Sequence, residues 1–168
     1  MDTKYAINLA KTIYREAHEE GDVEKLLSVL ATDGFTDMSE GLPSKYGQEA
    51  KTVLRSRAEQ LFADYTVRLN VIIIDVVIQG DTARDYGWHE WILTPKAGGP
   101  VVRKRERYFE LWFREEDGSW RISFFLNNAD VREQIGSSVS RWFMTEEYQK
   151  NRQLPDLICP RSCRRDAG

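Results

Sequence analysis

The chain has 168 residues, the length of one ordinary domain. Its 24 basic residues stand against 27 acidic ones, so the net charge of −3 excludes the overall positive charge that attracts nucleic acid. The longest apolar run, Val71 to Ile74, is far shorter than a membrane-spanning helix of about 20 residues, and no apolar secretory block follows Met1. We therefore expect a cytoplasmic protein that binds neither nucleic acid nor a membrane.

Three helices are predicted in the first part of the chain. Apolar residues recur at helical spacing over 4–20, Gly21 is placed to end that helix, and Asp22 is placed to cap the next one. A third helix is predicted over 48–63. The intervening segment 32–47 holds three glycines and one proline, which predicts a short strand near its start followed by a loop.

From Tyr65 onward, apolar residues alternate with polar ones, as in β-strands. One strand begins at Tyr65, and three more are predicted over 82–94, 101–114 and 120–127. The first should be long and largely buried, because both of its faces become apolar at Ile72. The order of elements predicts an α+β domain in which three helices pack on one face of a curved antiparallel sheet.

The remaining sequence predicts two further segments after a domain over 1–130. Residues 131–153 have the spacing of a C-terminal helical extension, and residues 154–168 are rich in charge and are expected to be a mobile tail. Both cysteines, Cys159 and Cys163, lie in this tail. Two thiols cannot form a four-ligand zinc site, which leaves either exposed reduced thiols or a disulfide within the tail.

Three groups of short motifs, in a fixed order over residues 5–130, carry a family resemblance. They are GDVE at 21–24 with LATD at 30–33, GQE at 47–49, and YFELW at 108–112 with DGSWRI at 117–122. With these motifs the chain resembles the SnoaL-like and DUF4440-like branch of the NTF2-like superfamily, which includes ketosteroid isomerase. The resemblance implies a cone-shaped domain with a mostly apolar pocket at its wide end, and often a homodimer built through the sheet.

The resemblance to ketosteroid isomerase also implies candidate catalytic residues. It places Tyr14 at the isomerase's oxyanion-hole tyrosine and Glu110 at its protonated aspartate. Burial in an apolar pocket raises the pKa of a carboxyl group, so Glu110 would keep its proton and donate a hydrogen bond. The isomerase's proton-shuttling aspartate falls at Met38, one residue after Asp37, and such an offset turns a strand side chain to the other face. Either Asp37 takes this role through a bulge, or the base is missing.

His89 is a second candidate base. It is one of two histidines and the one on a strand predicted to line the pocket, and imidazole accepts protons near neutral pH. Glu110 on the neighbouring strand would orient it if the pairing register places both on one face. The alternatives are a half-buried histidine bonded to a neighbour and a glutamate paired with arginines on the outer face. The other histidine, His18, is expected to be solvated near a helix C-terminus.

Aromatic side chains crowd the predicted pocket strands. Gly87, in the middle of one strand, indicates a bend or a cavity wall. The basic run 103–107 alternates between faces, which allows either an anionic ligand or a solvated, ion-paired strand. The candidate ligand-binding residues are Trp91, Trp112, Tyr108, Phe125 and Asn127.

Two functions follow from these observations. The first is a small enzyme of the isomerase, dehydratase or cyclase type that acts by acid–base chemistry on a hydrophobic carbonyl compound. The alternative is a non-catalytic ligand-binding or dimerisation domain. The sequence carries no cluster at metal-ligand spacing and no nucleotide-binding motif, so we expect neither a metal nor a cofactor.

Overall fold

The structure is a computed structural model that describes residues 3–130. The predicted extension over 131–153, the tail over 154–168 and both cysteines lie outside the described residues. Within them, no helix is long and apolar enough to cross a membrane. The elements are α1 (Thr3–Glu20), α2 (Val23–Leu27), β1 (Thr36–Ser39), β2 (Lys45–Tyr46), α3 (Gly47–Asp64), β3 (Tyr65–Gln79), β4 (Thr82–Pro95), β5 (Val102–Arg114) and β6 (Trp120–Ala129).

The junction between α1 and α2 forms as predicted. Gly21 adopts a φ of 72°, a conformation that favours glycine, and it ends α1. The amide of Asp22 donates to the carbonyl of Ala17, and the side chain of Asp22 accepts from the amide of Lys25 at 2.9 Å. This cap fixes the start of α2, so the turn directs the chain back across α1.

The sheet has six strands in the order β2-β1-β6-β5-β4-β3. Strands β3 to β6 form the predicted antiparallel meander. The prediction of a wholly antiparallel sheet is wrong at its other edge, because β1 pairs with β6 in parallel and places Asp37 beside Phe125. Strand β2 has only two residues, which is too short to leave an alternating pattern in the sequence.

Helices and sheet enclose a single apolar core within the described residues. Its members include Ile7 of α1, Leu26 of α2, Phe62 of α3 and Ile122 of β6. The prediction of a largely buried β3 is wrong, because Ile74 in the second half of that strand is 49% exposed. Strand β3 is an edge strand, and no described residue covers the outward side chains of that half.

Gly87 is needed where two strands approach each other closely. Strand β3 changes register between Ile73 and Asp75, opposite Gly87 on β4. A Cβ atom added to Gly87 would lie 1.8 Å from the carbonyl oxygen of Ile72, which is backbone and cannot rotate away. Gly87 therefore marks a close approach of two backbones, and it is not among the described residues that line the interior cavity between the helices and the sheet.

Candidate functional site

Helix α1 carries three polar side chains on its inner face. Lys11, Tyr14 and His18 are 4%, 7% and 5% exposed. Residues three, four and seven apart share one side of a helix, so all three point toward the sheet. They contribute to two interior regions, a charge cluster at Lys11 and a cavity at Tyr14 and His18.

The charge cluster consists of Lys11 from α1, Asp85 from β4 and Glu110 from β5. Asp85 and Glu110 are paired across the two strands, and both are fully buried. The Nζ atom of Lys11 lies 3.0 Å from Oδ2 of Asp85 and 2.5 Å from Oε2 of Glu110. Asp85 also accepts hydrogen bonds from the hydroxyl of Tyr108 at 3.0 Å and from the indole of Trp112 at 2.8 Å. The polar groups of this region are therefore directed at one another.

One cation in the charge cluster faces two carboxyl groups. Burial raises the pKa of Glu110, the charge of Asp85 raises it further, and the ammonium of Lys11 only partly opposes this, which leaves the pKa at about 8. Glu110 therefore holds its proton at neutral pH. Lys11 and Asp85 then balance each other, and the cluster carries no net charge in the core.

His89 lies on β4 between the charge cluster and the cavity. It is fully buried, and its ring stacks on Tyr108 with 4.3 Å between the centroids. Burial, and then the nearby charge of Lys11, lower the pKa of His89 well below its usual value. Neither ring nitrogen has a hydrogen-bond partner within residues 3–130. The expected His89–Glu110 pair is therefore not formed there, because the strand register pairs His89 with Glu106 instead.

A cavity of about 330 Å³ lies beside Tyr14 and His18. Side chains from all three helices and from β1, β4, β5 and β6 line it, and its volume lies in the range of small-molecule sites. Its apolar lining consists of Leu26, Leu54, Ala58, Leu61, Trp91, Leu93 and Phe125. Its polar lining consists of Tyr14, His18, Ser39, Arg57, Gln60, Lys104, Glu106 and Asn127.

The two α1 side chains in this wall differ in what they offer. The Nδ1 atom of His18 lies 2.8 Å from the carbonyl oxygen of Tyr14. Because a carbonyl only accepts, Nδ1 carries the proton, and the lone pair of the neutral ring is on Nε2. Burial lowers the pKa of His18 to about 4. Burial, and to a smaller extent the charges of Glu110 and Glu106, raise the pKa of Tyr14 well above 10. At neutral pH the wall therefore presents a neutral phenol and a neutral imidazole.

Glu106 connects three strands at the cavity wall. Its Oε2 accepts hydrogen bonds from the indole of Trp91 and the amide of Asn127, both at 3.0 Å. Its Oε1 accepts from the Nζ atom of Lys104 at 2.8 Å. Both carboxylate oxygens are thus engaged, and Glu106 holds neighbouring cavity side chains in place.

Asp37, and not Met38, is the residue of β1 that faces inward. Asp37 and Ser39 are buried and alternate with half-buried neighbours. The Oδ1 atom of Asp37 accepts from the amide of Ser39 at 2.9 Å and from its hydroxyl at 2.5 Å, and Oδ2 lies 3.6 Å from Nη1 of Arg57. The carboxylate is therefore held by its neighbours, and its charge contributes to the raised pKa of Tyr14.

The structure brings four of the nine residues singled out in the sequence to the cavity wall: Tyr14, Trp91, Phe125 and Asn127. The other five are not among the described lining residues: Asp37, His89, Tyr108, Glu110 and Trp112. Within residues 3–130, no group of three or more potential ligands is arranged to hold a metal ion.

Sequence reasoning missed His18, Lys11 and Glu106. The expectation that His18 is solvated is wrong, because Phe62 of α3 and Trp91 of β4 pack edge-on against its ring. The helical spacing from Lys11 through Tyr14 to His18 was a usable signal for this face. Glu106 was hidden inside a run of basic residues, and only the strand pairing reveals its contacts.

No protein-family model and no curated protein matches the chain. Several solved structures have a similar fold. A ketosteroid isomerase-like protein from Erwinia carotovora atroseptica is 21% identical, with 77% of this chain and 98% of that one covered at a TM-score of 0.65. A proposed dehydratase of the NTF2-like family from Streptomyces avermitilis is 24% identical, with 76% and 95% covered at a TM-score of 0.60. An NTF2-like superfamily protein from Salmonella enterica serovar Typhimurium is 11% identical, with 80% and 96% covered at a TM-score of 0.65. At these identities the likeness is one of fold, and the chain has the NTF2-like fold.

Proposed function

We propose that the chain binds a small hydrophobic carbonyl compound in the cavity and converts it by acid–base chemistry, as an isomerase or a lyase of the dehydratase or cyclase type. The observation that carries this proposal is the buried, neutral phenol of Tyr14 in a wall that is otherwise rich in apolar side chains. Such a donor binds a carbonyl oxygen, and the surrounding leucines and aromatic rings suit the hydrophobic remainder. This function accords with the SnoaL-like branch that the sequence motifs resemble.

The cations of the wall favour a neutral ligand over a carboxylate. Lys104 lies 2.8 Å from Glu106, and Arg57 lies 3.6 Å from Asp37. Each cation already has an anionic partner, so an added carboxylate would have to displace one of them. A neutral ketone, by contrast, requires only a hydrogen-bond donor for its oxygen.

In the proposed reaction, the hydroxyl of Tyr14 donates a hydrogen bond to the carbonyl oxygen. When a proton leaves the adjacent carbon, negative charge develops on this oxygen, and a fixed donor stabilises it. Glu110, His89 and Asp37 lie outside the described lining. We propose that the charges of Glu110 and Asp37 help to set the pKa of Tyr14 and that the stacked ring of His89 helps to set its position. The charge of Glu110 is the largest effect on that pKa after burial.

The test uses 2-tetralone, a bicyclic ketone with exchangeable hydrogens beside its carbonyl, in heavy water. The wild-type protein should speed hydrogen–deuterium exchange, and Tyr14→Phe should slow the catalysed exchange about 100-fold, as expected for a lost oxyanion donor. Glu19→Gln, on the exposed end of the same helix, is the matched control and should exchange at the wild-type rate. A wild-type protein that exchanges the ketone no faster than buffer refutes the catalytic proposal.

A non-catalytic ligand-binding domain is the second candidate. It is favoured by the carboxyl groups of Asp37, Glu106 and Glu110, each of which is already held by a cation. In this case 2-tetralone should shift the NMR signal of the Trp91 indole without any catalysed exchange. A Trp91 signal that does not respond to the ketone refutes binding at this cavity.

We also propose that the protein forms a homodimer through the outer face of its sheet. Tyr86 on β4, Leu111 and Phe113 on β5, and Leu126 on β6 are 42%, 39%, 47% and 37% exposed. An apolar patch of this kind is self-complementary in a twofold dimer. Sedimentation should give a dimer for the full chain and a monomer for Phe113→Arg. A wild-type monomer at all concentrations tested refutes the dimer.

A further inference from the structure

The proposed reaction needs a group that accepts a proton, and the cavity wall offers few. Among the described lining residues, the titratable groups are Tyr14, His18, Arg57, Lys104 and Glu106. Arginine and lysine are cationic, and the phenol of Tyr14 holds its proton. Glu106 already accepts three hydrogen bonds.

His18 differs from these groups, because one of its ring nitrogens is held and the other is not. The carbonyl of Tyr14 binds Nδ1 at 2.8 Å and thereby fixes the tautomer. Within the described part of the chain, the ring is hydrogen-bonded through Nδ1, and Nε2 has no partner. The ring is held by edge-on contacts with Trp91 at 5.1 Å and Phe62 at 5.8 Å between centroids. His18, a residue of the cavity wall, thus has a neutral, held ring whose Nε2 lone pair no described residue takes up.

We infer that His18 is the catalytic base of the cavity, and that Nε2 accepts the proton from the carbon next to the carbonyl of a neutral ketone whose oxygen Tyr14 binds. This inference rests on the proposed function. The carbon–hydrogen bond breaks, its electron pair forms the double bond of the enolate, and the proton forms an imidazolium at Nε2. The imidazolium then returns a proton to a carbon of the enolate, and in heavy water it first exchanges that proton for a deuteron of the solvent, so no oxidant, reductant or other co-reactant is needed.

The surroundings of His18 suit a base that remains unprotonated between turnovers. Burial is the main cause of its lowered pKa; Lys104 on β5 lowers it further, and Glu106 on the same strand opposes that effect. Phe62 of α3 and Trp91 of β4 contribute apolar faces, and Tyr14 of the same helix contributes a neutral phenol. His89 on β4 is the other titratable group that interacts with His18, and burial keeps its ring neutral. With a pKa of about 4, His18 is about as basic as the aspartate that removes such protons in ketosteroid isomerase.

The first test examines His18 without a ligand. Nitrogen-15 NMR of the imidazole signals should show a protonated Nδ1 and an unprotonated Nε2 from about pH 8 down to about pH 5. A ring with its proton on Nε2, or a ring that is charged at neutral pH, overturns the inference. This measurement requires no choice of ligand.

The second test compares His18→Asn with the wild type, again with 2-tetralone in heavy water. The asparagine amide retains a donor near the position of Nδ1 but supplies no base at Nε2. Catalysed exchange should fall about 100-fold or more, whereas the ketone concentration that half-saturates the Trp91 indole shift should change less than about threefold. Glu19→Gln is again the matched control, and His18→Gln replaces His18→Asn if the latter does not fold.

The outcomes separate the two proposals. A wild-type protein that does not speed exchange refutes the proposed function. Wild-type exchange that persists in His18→Asn leaves the proposed function standing and overturns the assignment of His18. The pH profile of the exchange rate would not change if His18 were only structural. With His18 as the base, the wild-type rate should be level near neutral pH and fall only below about pH 5. A base with an ordinary imidazole pKa would lose activity near pH 6.5.

Discussion

The charge cluster and the cavity wall are built from the same face of α1 but use their polar groups in opposite ways. Lys11 and His18 are seven residues apart, which places them two turns or about 10 Å apart along the helix. In the charge cluster, each carboxyl group contacts the ammonium of Lys11. In the cavity wall, His18 satisfies one ring nitrogen and leaves the other open.

This difference shows that burial and a shifted pKa do not by themselves identify a reacting group. Glu110 and His18 are both buried, and the pKa of each is displaced from its usual value. Such shifts mark functional sites and structural ion pairs alike. What separates the two residues is access: the described lining of the cavity includes His18 and does not include Glu110.

The largest expected effect comes from removing the one cation of the charge cluster. Lys11→Met should lower the free energy of unfolding by about 3–5 kcal/mol, because it leaves the buried carboxylate of Asp85 without its counter-ion. Urea unfolding at neutral pH measures this loss. The double variant Lys11→Met/Asp85→Asn should recover part of the stability, since it removes the unpaired charge as well.

Lys25 provides the matched control, because it also bridges two carboxylates. Its Nζ atom lies 3.1 Å from Glu16 and 2.9 Å from Glu20, but at the surface. Water and salt screen such pairs, so Lys25→Met should change stability only slightly. Equal losses in Lys11→Met and Lys25→Met would show that the charge cluster is not excluded from water.

A smaller effect is expected at Gly87, which lies along β4 between Asp85 of the charge cluster and Trp91 of the cavity wall. Gly87→Ala should cost about 1–3 kcal/mol, because its Cβ would overlap the carbonyl of Ile72 and force the two strands apart. Urea unfolding again provides the measurement. Unchanged stability in this variant would contradict the close approach of β3 and β4.

The fold was predictable because it depends on local signals. Gly21 and Asp22 mark the end of one helix and the start of the next, and alternating apolar residues mark the four long strands. The parallel pairing of β1 with β6 was not predictable, because a four-residue strand leaves too short a pattern. The exposure of Ile74 was missed because apolar composition does not reveal which strand lies at the edge.

The site was less predictable, because its contacts join residues far apart in the chain. Tyr14, Trp91 and Asn127 could be placed near a cavity from family resemblance and strand alternation. Pairing of Glu110 with His89, in contrast, depended on the register of β4 against β5, and the observed register joins Glu110 to Asp85. The cation that contacts Glu110 is Lys11, 99 residues earlier in the chain.

The smallest expected effect is the change in the free energy of unfolding per pH unit. Its sign differs between the charge cluster and the cavity wall. In the unfolded chain Glu110 loses its proton near pH 4.5, but in the folded protein it keeps the proton until about pH 8. Stability should therefore fall with rising pH in this window, by at most about 1.4 kcal/mol per unit. Glu110→Gln should remove that fall, as urea unfolding across this range would show.

His18 should change the pH dependence of stability in the opposite direction to Glu110. Its pKa is about 4 in the folded protein and 6.5 in the unfolded chain, so the unfolded chain binds the extra proton between these values. Stability should rise with pH over that window, and His18→Asn should reduce the rise; His89, whose pKa burial also lowers, contributes the rest of it. Between about pH 4.5 and 6.5 the rise caused by the histidines opposes the fall caused by Glu110, and above pH 6.5 only the fall caused by Glu110 remains. Glu19→Gln is the control and should leave the pH dependence of stability unchanged. If the fall in stability above pH 6.5 persists in Glu110→Gln, the group that titrates lies outside the charge cluster.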